Sequence, residues 1–227
     1  MRSRSPVLPT ATLLTLLLAG CANSTAPADL AASPPPGTTP WLVNGSAAPS
    51  SATPSVGLLA APQAEGTSSG TFLPFPAGTR AITYHPTVVP PGATARVTIT
   101  KTTTDTTVRL AVTGLVPRRA YGAHLHTRPC TATPDDAGPH YQHDPDPKAA
   151  ASPPSVDPAY ANPCNEVWLD FTADGEGAAS VTATEGWTFD EIEPPRSLIL
   201  HAEHTRTAAG KAGMAGARVA CLTLGSR

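Results

Sequence analysis

The stretch AYGAHLHTRPC, residues 120–130, places two histidines one residue apart and a cysteine four residues after the second. Side chains of a β-strand alternate between the two faces of its sheet, so His124 and His126 should point the same way. The opposite face would carry their neighbours, which are Tyr121, Ala123 and Leu125. The stretch therefore predicts a strand that holds two imidazoles side by side.

From about residue 79 onward the chain has the texture of an all-β domain. Short β-branched runs alternate with Pro, Gly and Asp, and they read RAITYHP, ARVTIT, TTVRLAVTGL, AYGAHLH, EVWLDFTAD, AASVTAT, SLILHAE and ARVACLTL. Apolar residues recur on one face of these runs, as at Val108, Leu110 and Val112. About eight such strands without a convincing helix predict one β-sandwich or barrel over residues 79–227.

One segment of this domain, residues 131–163, contains no predicted strand. It is polar and rich in proline, and it carries His140 and His143. A loop of this length inside a compact domain is usually functional. We therefore expect the loop to contribute to a site.

The first 21 residues predict a signal peptide. They begin with Arg2 and Arg4, continue into an apolar run too short to cross a bilayer of ~30 Å, and end in LAGC. This ending resembles the bacterial lipobox, in which the cysteine, here Cys21, is acylated and becomes the first residue of the mature protein. The alternative is an ordinary secretory signal with an incidental cysteine. Under either interpretation the chain leaves the cytoplasm.

Residues 22–78 are predicted to be a disordered tether. They are rich in Ala, Pro, Ser, Thr and Gly and show no sustained period of a strand or a helix. Such a composition buries too little apolar surface to offset the conformational entropy of the chain. The alternative is that apolar pieces such as TFLPFP dock on the domain as an extra arm.

Charge and cysteine content restrict the partners. A formal net charge of -2 gives no indication of a nucleic-acid partner. Three cysteines follow the signal peptide, Cys130, Cys164 and Cys221, in a compartment where disulfides persist. Because the number is odd, one of them is free, binds a metal or pairs outside the chain.

Histidines form the strongest indication of a site. Five of the seven fall in three places, which are the strand pair, the long loop and the end of the apolar strand RSLILHA at His201. Imidazole nitrogen suits copper and zinc, and geometry decides between the two metals. The sequence therefore predicts a metal site built on one β domain.

Several motifs follow one another in a specific order. They are YGAHLH, AGPH at residues 137–140, TADGEG at residues 172–177, LILH at residues 198–201 and GARVAC at residues 216–221. In this order they resemble the copper/zinc superoxide dismutases, and the resemblance covers about residues 81–224. It implies a Greek-key β-barrel of the immunoglobulin-like kind with a long metal-binding loop.

The resemblance also implies roles for individual residues. The copper ligands would be His124, His126, His140 and His201. His140 would be the ligand that carries a proton, and Arg218 the residue that attracts the anion. Cys130 and Cys221 would form a disulfide that closes a loop of about 90 residues, worth ~4 kcal/mol in the chain-entropy model.

The zinc ligands of the family do not carry over. An ungapped alignment on TAD places the family's zinc histidine on Cys164 and its zinc aspartate on Val167. A mixed zinc site could be assembled from His140, His143 and Cys164 with a carboxylate such as Glu166 or Asp144. The other interpretation is a copper-only site in which Cys164 is a free thiol. In that case a nearby carboxylate would orient His140, and the candidates are Asp144, Asp146 and Glu166. Glu166 precedes Val167 in the same run, so its side chain should point to the face opposite the apolar one.

Superoxide dismutase activity is the function that the resemblance implies. The substrate would be the superoxide anion, and the products would be O₂ and hydrogen peroxide. The cofactor would be copper, and the sequence leaves open whether zinc is bound as well. The protein would be anchored to the outer face of the bacterial cell membrane through Cys21. The alternative is a non-catalytic lipoprotein that binds or buffers copper on the same barrel. The altered zinc region and the short segment between His201 and Arg218, which contains no aspartate, keep that alternative open.

Overall fold

The computed structural model describes residues 63–150 and 153–225. The predicted signal peptide and most of the predicted tether lie outside the described residues. Nine strands and one 3₁₀ turn are present in the described part of the chain: β1 Gln63–Thr71, β2 Ala81–Thr83, β3 Thr94–Lys101, β4 Thr106–Thr113, β5 Ala120–His126, the turn Pro134–Ala137, β6 Phe171–Thr172, β7 Ala179–Glu185, β8 Ser197–His201 and β9 Arg218–Thr223. The all-β prediction is confirmed, and each of the eight quoted runs contributes to a strand.

Two antiparallel sheets make up the domain. One contains four strands in the order β1-β3-β4-β7, and the other contains five in the order β2-β9-β8-β5-β6. The sheets are not closed into a continuous cylinder. No helix in these two ranges is long and apolar enough to cross a membrane.

The core lies between the two sheets and follows from the alternation of apolar residues. On β4 the side chains of Val108, Leu110 and Val112 are buried, whereas Arg109 faces solvent. On the facing sheet, the core residues of β5 alternate with its histidines; they are Tyr121, Ala123 and Leu125, each at most 1% exposed. The core therefore fixes which way β5 faces, and the histidines point away from it.

Strand β1 corrects the predicted boundary of the tether. It pairs with β3 along its length, and the following residue Phe72 is completely buried in the core. The domain therefore includes residues 63–78, which the sequence had assigned to the tether. The sequence QAEGTSSGT conceals the strand because it lies at a sheet edge and offers few apolar residues. Packing requires a glycine at position 70, because a Cβ there would collide with the Cβ of Ala81.

A disulfide between Cys130 and Cys221 joins the start of the long loop to β9. It was predicted from the resemblance and is confirmed. Ile82, Ala137 and Ile199 form a small buried cluster around it, apart from the main core. The bridge holds the loop that leaves β5 against the strand that begins with Arg218.

Candidate metal centre

Four histidines converge on one side of the five-stranded sheet. Each offers one ring nitrogen, and these nitrogens all lie within 4.8 Å of one another. They are His124, His126, His140 and His201. This is the only group of three or more potential metal-binding side chains among residues 63–150 and 153–225.

The strands position three of these histidines and the loop supplies the fourth. His124 and His126 share the outer face of β5, while His201 ends the neighbouring strand β8 opposite Gly122. His140 is brought in by the loop, which returns to form an isolated antiparallel bridge with His126. Three of the rings are at most 4% exposed, and the side chain of His140 is 12% exposed.

The outer nitrogens of His126 and His201 donate to backbone carbonyls. Nδ1 of His126 lies 2.9 Å from the Gly138 oxygen, and Nδ1 of His201 lies 3.3 Å from the Gly216 oxygen. Because a carbonyl can only accept, each Nδ1 carries the proton and each Nε2 carries a lone pair. The two Nε2 atoms face one another at 3.4 Å, a separation that one ion can bridge with two bonds of ~2.0–2.1 Å.

His140 is held by a buried carboxylate. Its Nδ1 lies 2.8 Å from Oε2 of Glu166, which is 2% exposed. That oxygen also accepts from Nε1 of Trp168 at 2.8 Å, and Oε1 accepts from Nε2 of Gln142 at 2.8 Å. Because a carboxylate oxygen accepts, the Nδ1–H of His140 points at Glu166, and Nε2 is the ring nitrogen left for a metal.

His124 is held by a threonine and an aspartate. Thr205 Oγ1 donates to Oδ1 of Asp170 at 2.7 Å, and it must therefore accept from Nε2 of His124, also at 2.7 Å. The backbone amides of Thr205 and Ala123 fix the same carboxylate. Nδ1 of His124 is buried and has no hydrogen-bond partner, so its lone pair is available for a metal.

Burial favours the neutral form of the three strand histidines. It lowers the pKa of His124 and His126 well below the usual value, and the neighbouring His140 lowers both further. Burial also lowers the pKa of His201 to about 3, with a further contribution from His140. Neutral imidazoles are the form that binds metals, because the ligand lone pair must not be protonated.

These four environments fit a metal ion. Every ring donates its outer N–H to an oxygen and presents its inner nitrogen to the centre, which is the usual arrangement of histidine ligands. One ring offers Nδ1 and the other three offer Nε2. A set of four imidazoles suits copper or zinc.

A cavity of about 1050 Å³ opens onto the cluster and is lined by His140, His201 and Arg218 among others. Arg218 stands opposite His201 on β9, and its side chain is 18% exposed. Its guanidinium donates to the carbonyl oxygens of Pro134 and Gly138 at 3.0 and 2.7 Å. The charge is thereby fixed beside the two histidines that face the cavity. An anion that enters the cavity therefore meets a positive charge next to the cluster.

The predicted mixed zinc site does not assemble. His143 is exposed and stacks on Trp187, with ring centroids 4.8 Å apart, and it is not part of the cluster. Val167 is buried in the core. No contact joins Asp144 or Asp146 to His140. The backbone of Asp144 is bonded to the side chain of Asn165, and the Asp146 carboxylate accepts from Ser155. Of the carboxylates proposed to orient His140, Glu166 is the one in contact with it.

Cys164 is not the free thiol of the second interpretation. It is exposed on the loop, and the described residues include no free cysteine. The interpretation of Cys164 as a free thiol is therefore wrong. Cys164 is also not part of the histidine cluster.

Sequence reasoning missed four side chains behind the ligands, namely Gln142, Trp168, Asp170 and Thr205. The sequence indicated no carboxylate behind His124, because the segment between His201 and Arg218 contains no aspartate. The structure places Thr205 of that segment there, with Asp170 from the other side. The indole N–H of Trp168 donates to the Glu166 carboxylate. Strand alternation offered one usable indication, because Trp168 and Asp170 lie on the same face as Glu166.

Comparison with known families agrees with this geometry. No curated protein matches the chain. The family model described as copper/zinc superoxide dismutase (SODC) matches residues 93–223, more than half of the 227 residues. This match spans β3 to β9 and includes all four clustered histidines, Arg218 and both cysteines of the Cys130–Cys221 disulfide. The chain therefore belongs to the copper/zinc superoxide dismutase family.

Proposed function

We propose that the protein is an extracytoplasmic superoxide dismutase with a single copper ion held by His124, His126, His140 and His201. The observation that carries the proposal is the cluster of four imidazoles whose inner nitrogens converge beside an open cavity. When bound, copper supplies the one-electron couple by which one superoxide is oxidised to O₂ and a second is reduced to hydrogen peroxide.

The protein's own residues orient the ligands. Each ring donates its outer N–H to a different oxygen. The acceptors are the carbonyls of Gly138 and Gly216, the hydroxyl of Thr205 and the carboxylate of Glu166. These bonds fix both the tautomer and the ring plane, which reduces the reorganisation that a change of metal charge would require.

A single-metal site is favoured by the position of Glu166. In a copper–zinc pair the histidine shared by the metals would have to give its Nδ1 to zinc. Here Nδ1 of His140 donates to Glu166 instead. The same bond keeps a proton on His140 at the side of the ring away from the cluster, where the carboxylate can stabilise it.

Arg218 gives the cavity its local attraction for an anion. The guanidinium lies beside His201 and is held by two backbone carbonyls, so the charge is preorganised. Burial lowers the pKa of Arg218, while Asp135 and Tyr84 oppose that effect. An arginine remains cationic at neutral pH, and its attraction for superoxide should weaken as salt is added.

Activity per bound copper tests the proposal against the copper-buffering alternative. We expect the copper-loaded protein to remove superoxide far faster than its metal-free form, with one copper and less than one zinc per chain. Arg218→Ala should retain copper but have a lower second-order rate that depends less on ionic strength. Arg109→Ala, on the outer face of the four-stranded sheet, is the matched control. Copper-loaded wild-type protein without activity above buffer would leave copper binding as the function.

A further inference from the structure

The candidate metal centre has one open side. His124 and His126 are completely buried and His201 is 4% exposed, whereas the side chain of His140 is 12% exposed. The two least buried of these histidines, His140 and His201, line the cavity of about 1050 Å³. A metal ion that reaches the folded protein must therefore pass through this cavity, along the side chains that line it.

One sulfur-containing side chain of the cavity lies at the surface. In the segment KAGMAGA, residues 211–217, the small residues Ala212 and Ala215 are buried, whereas Met214 is 46% exposed. Burial of a methionine side chain in a core is favourable, so core packing alone would favour the opposite arrangement. Met214 lines the same cavity as His140 and His201.

The backbone holds Met214 close to the ligands. The Gly213 and Arg206 amides bond to the carbonyls of Arg206 and Met214, both at 2.9 Å, and the Met214 amide bonds to the Lys211 carbonyl at 3.1 Å. A Cβ on Gly213 would lie 3.8 Å from Nδ1 of His140 and from Oε2 of Glu166. The residue before Met214 therefore rests against the pair of side chains that bounds the cluster.

The chemistry of the sulfur distinguishes Met214 from every other cavity residue. It is the only methionine among the described residues, and that part of the chain has no free cysteine. The remaining donors around the cavity are imidazole, carboxylate, hydroxyl, amide and carbonyl groups. Thioether sulfur is a soft ligand that suits Cu(I) better than the harder Cu(II).

We propose that Met214 is the capture ligand for Cu(I) during metal loading, binding the incoming ion in the cavity before it passes to His140 and His201. The inference rests on the proposed copper site. It adds that the protein takes up copper in the reduced state through a specific side chain. Met214 is not a ligand of the final site, so its removal should change the rate of loading and leave the amount of bound copper unchanged.

Loading kinetics test the proposal. Metal-free full-length protein is mixed anaerobically with Cu(I) held by a chromophoric chelator, and the loss of chelator colour reports the transfer. Met214→Leu should slow this transfer by about tenfold, which corresponds to a barrier difference of ~1.4 kcal/mol. Ile192→Val is the matched control, because Ile192 lines the same cavity and is 90% exposed. Loading from a Cu(II)–glycine complex should be unaffected by either substitution.

A second perturbation requires no mutation. Oxidation of Met214 to the sulfoxide in metal-free wild-type protein removes the soft donor, so it should reproduce the slow Cu(I) transfer of Met214→Leu. Equal Cu(I) rates in wild-type and Met214→Leu protein would overturn the capture role while leaving the copper site intact. Equal slowing of Cu(I) and Cu(II) loading would overturn it in favour of a steric role. Wild-type protein that binds no copper from either source would overturn this inference together with the proposed function.

Discussion

Glu166 is the carboxylate that holds His140, and three side chains donate to it. Glu166→Gln removes the negative charge and replaces one acceptor oxygen by an amide that can only donate. One of the three donors then loses its acceptor in a buried place. We expect copper affinity to fall by roughly tenfold or more, as is usual for partners of metal-bound histidines.

Chelator competition measures the affinity of the Glu166→Gln variant, and the electron paramagnetic resonance spectrum reports the ligand geometry. Glu203→Gln is the matched control, because the side chain of Glu203 is 52% exposed and pairs with Arg206 instead of a histidine. Unchanged affinity and spectrum in the Glu166→Gln variant would contradict the positioning role.

Thr205 fixes the tautomer of His124 through a hydroxyl group alone. Thr205→Val keeps the shape of the side chain and the backbone bond to Asp170, but it leaves Nε2–H of His124 without an acceptor. The unfolding free energy of the metal-free protein should fall by about 1–3 kcal/mol, and copper should bind more weakly.

Denaturant unfolding and a copper titration measure these two effects. Thr113→Val is the control, because the Thr113 hydroxyl is exposed and its hydrogen bond joins it to another surface threonine, Thr94. If both threonine variants behave alike, the hydroxyl of Thr205 has no special role.

At the scale of elements, strand β7 ends in a buried acid that the metal centre does not use. Glu185 is 3% exposed and stands opposite Thr106 of β4, whose buried hydroxyl has no hydrogen-bond partner. Burial raises the pKa of Glu185 to about 7. In the unfolded chain the carboxyl has its ordinary pKa of ~4.3, so the unfolded state releases this proton first. Stability should therefore fall as pH rises from about 4.5 to 7.

Glu185→Gln should remove this pH dependence because an amide stays neutral. Between pH 5 and pH 8 the metal-free wild type should lose roughly 2 kcal/mol of unfolding free energy relative to the variant. Urea unfolding at both pH values gives the comparison. Glu191→Gln is the control, since the Glu191 side chain is 85% exposed. If the difference in unfolding free energy between wild type and Glu185→Gln is the same at both pH values, burial does not raise the pKa of Glu185.

At the scale of the whole molecule, charge and attachment are separate from the site. The net charge of -2 does not attract an anion, so attraction must be local to Arg218. The predicted attachment to the membrane rests on LAGC at the end of the predicted signal peptide, outside the described residues. Cys21→Ser should move the protein from the membrane fraction to the soluble fraction while copper content stays the same. Cell fractionation with immunoblotting measures this, and membrane retention of the variant would contradict lipidation at Cys21.

Local pattern was sufficient to predict much of the fold and the four histidines of the site. Strand alternation has a period of two, so the sequence AYGAHLH by itself determined that His124 and His126 share a face opposite Tyr121 and Leu125. The same rule turned Glu166 away from the core face of Val167. The four clustered histidines and the Cys130–Cys221 disulfide followed from the order of short motifs that resemble one family.

Tertiary structure alone decided what stands behind the ligands. The hydroxyl that accepts the hydrogen bond from Nε2–H of His124 belongs to Thr205, 81 residues away. The carboxylate that in turn accepts from this hydroxyl belongs to Asp170, in a different segment. No periodic pattern encodes such a contact, because it depends on how two loops pass behind the sheet. Strand β1 was also missed, since an edge strand of Gly, Ser and Thr gains its order from pairing with β3. Alternation along a strand is a local property, whereas hydrogen-bond partners and edge pairing are set only when distant segments pack together.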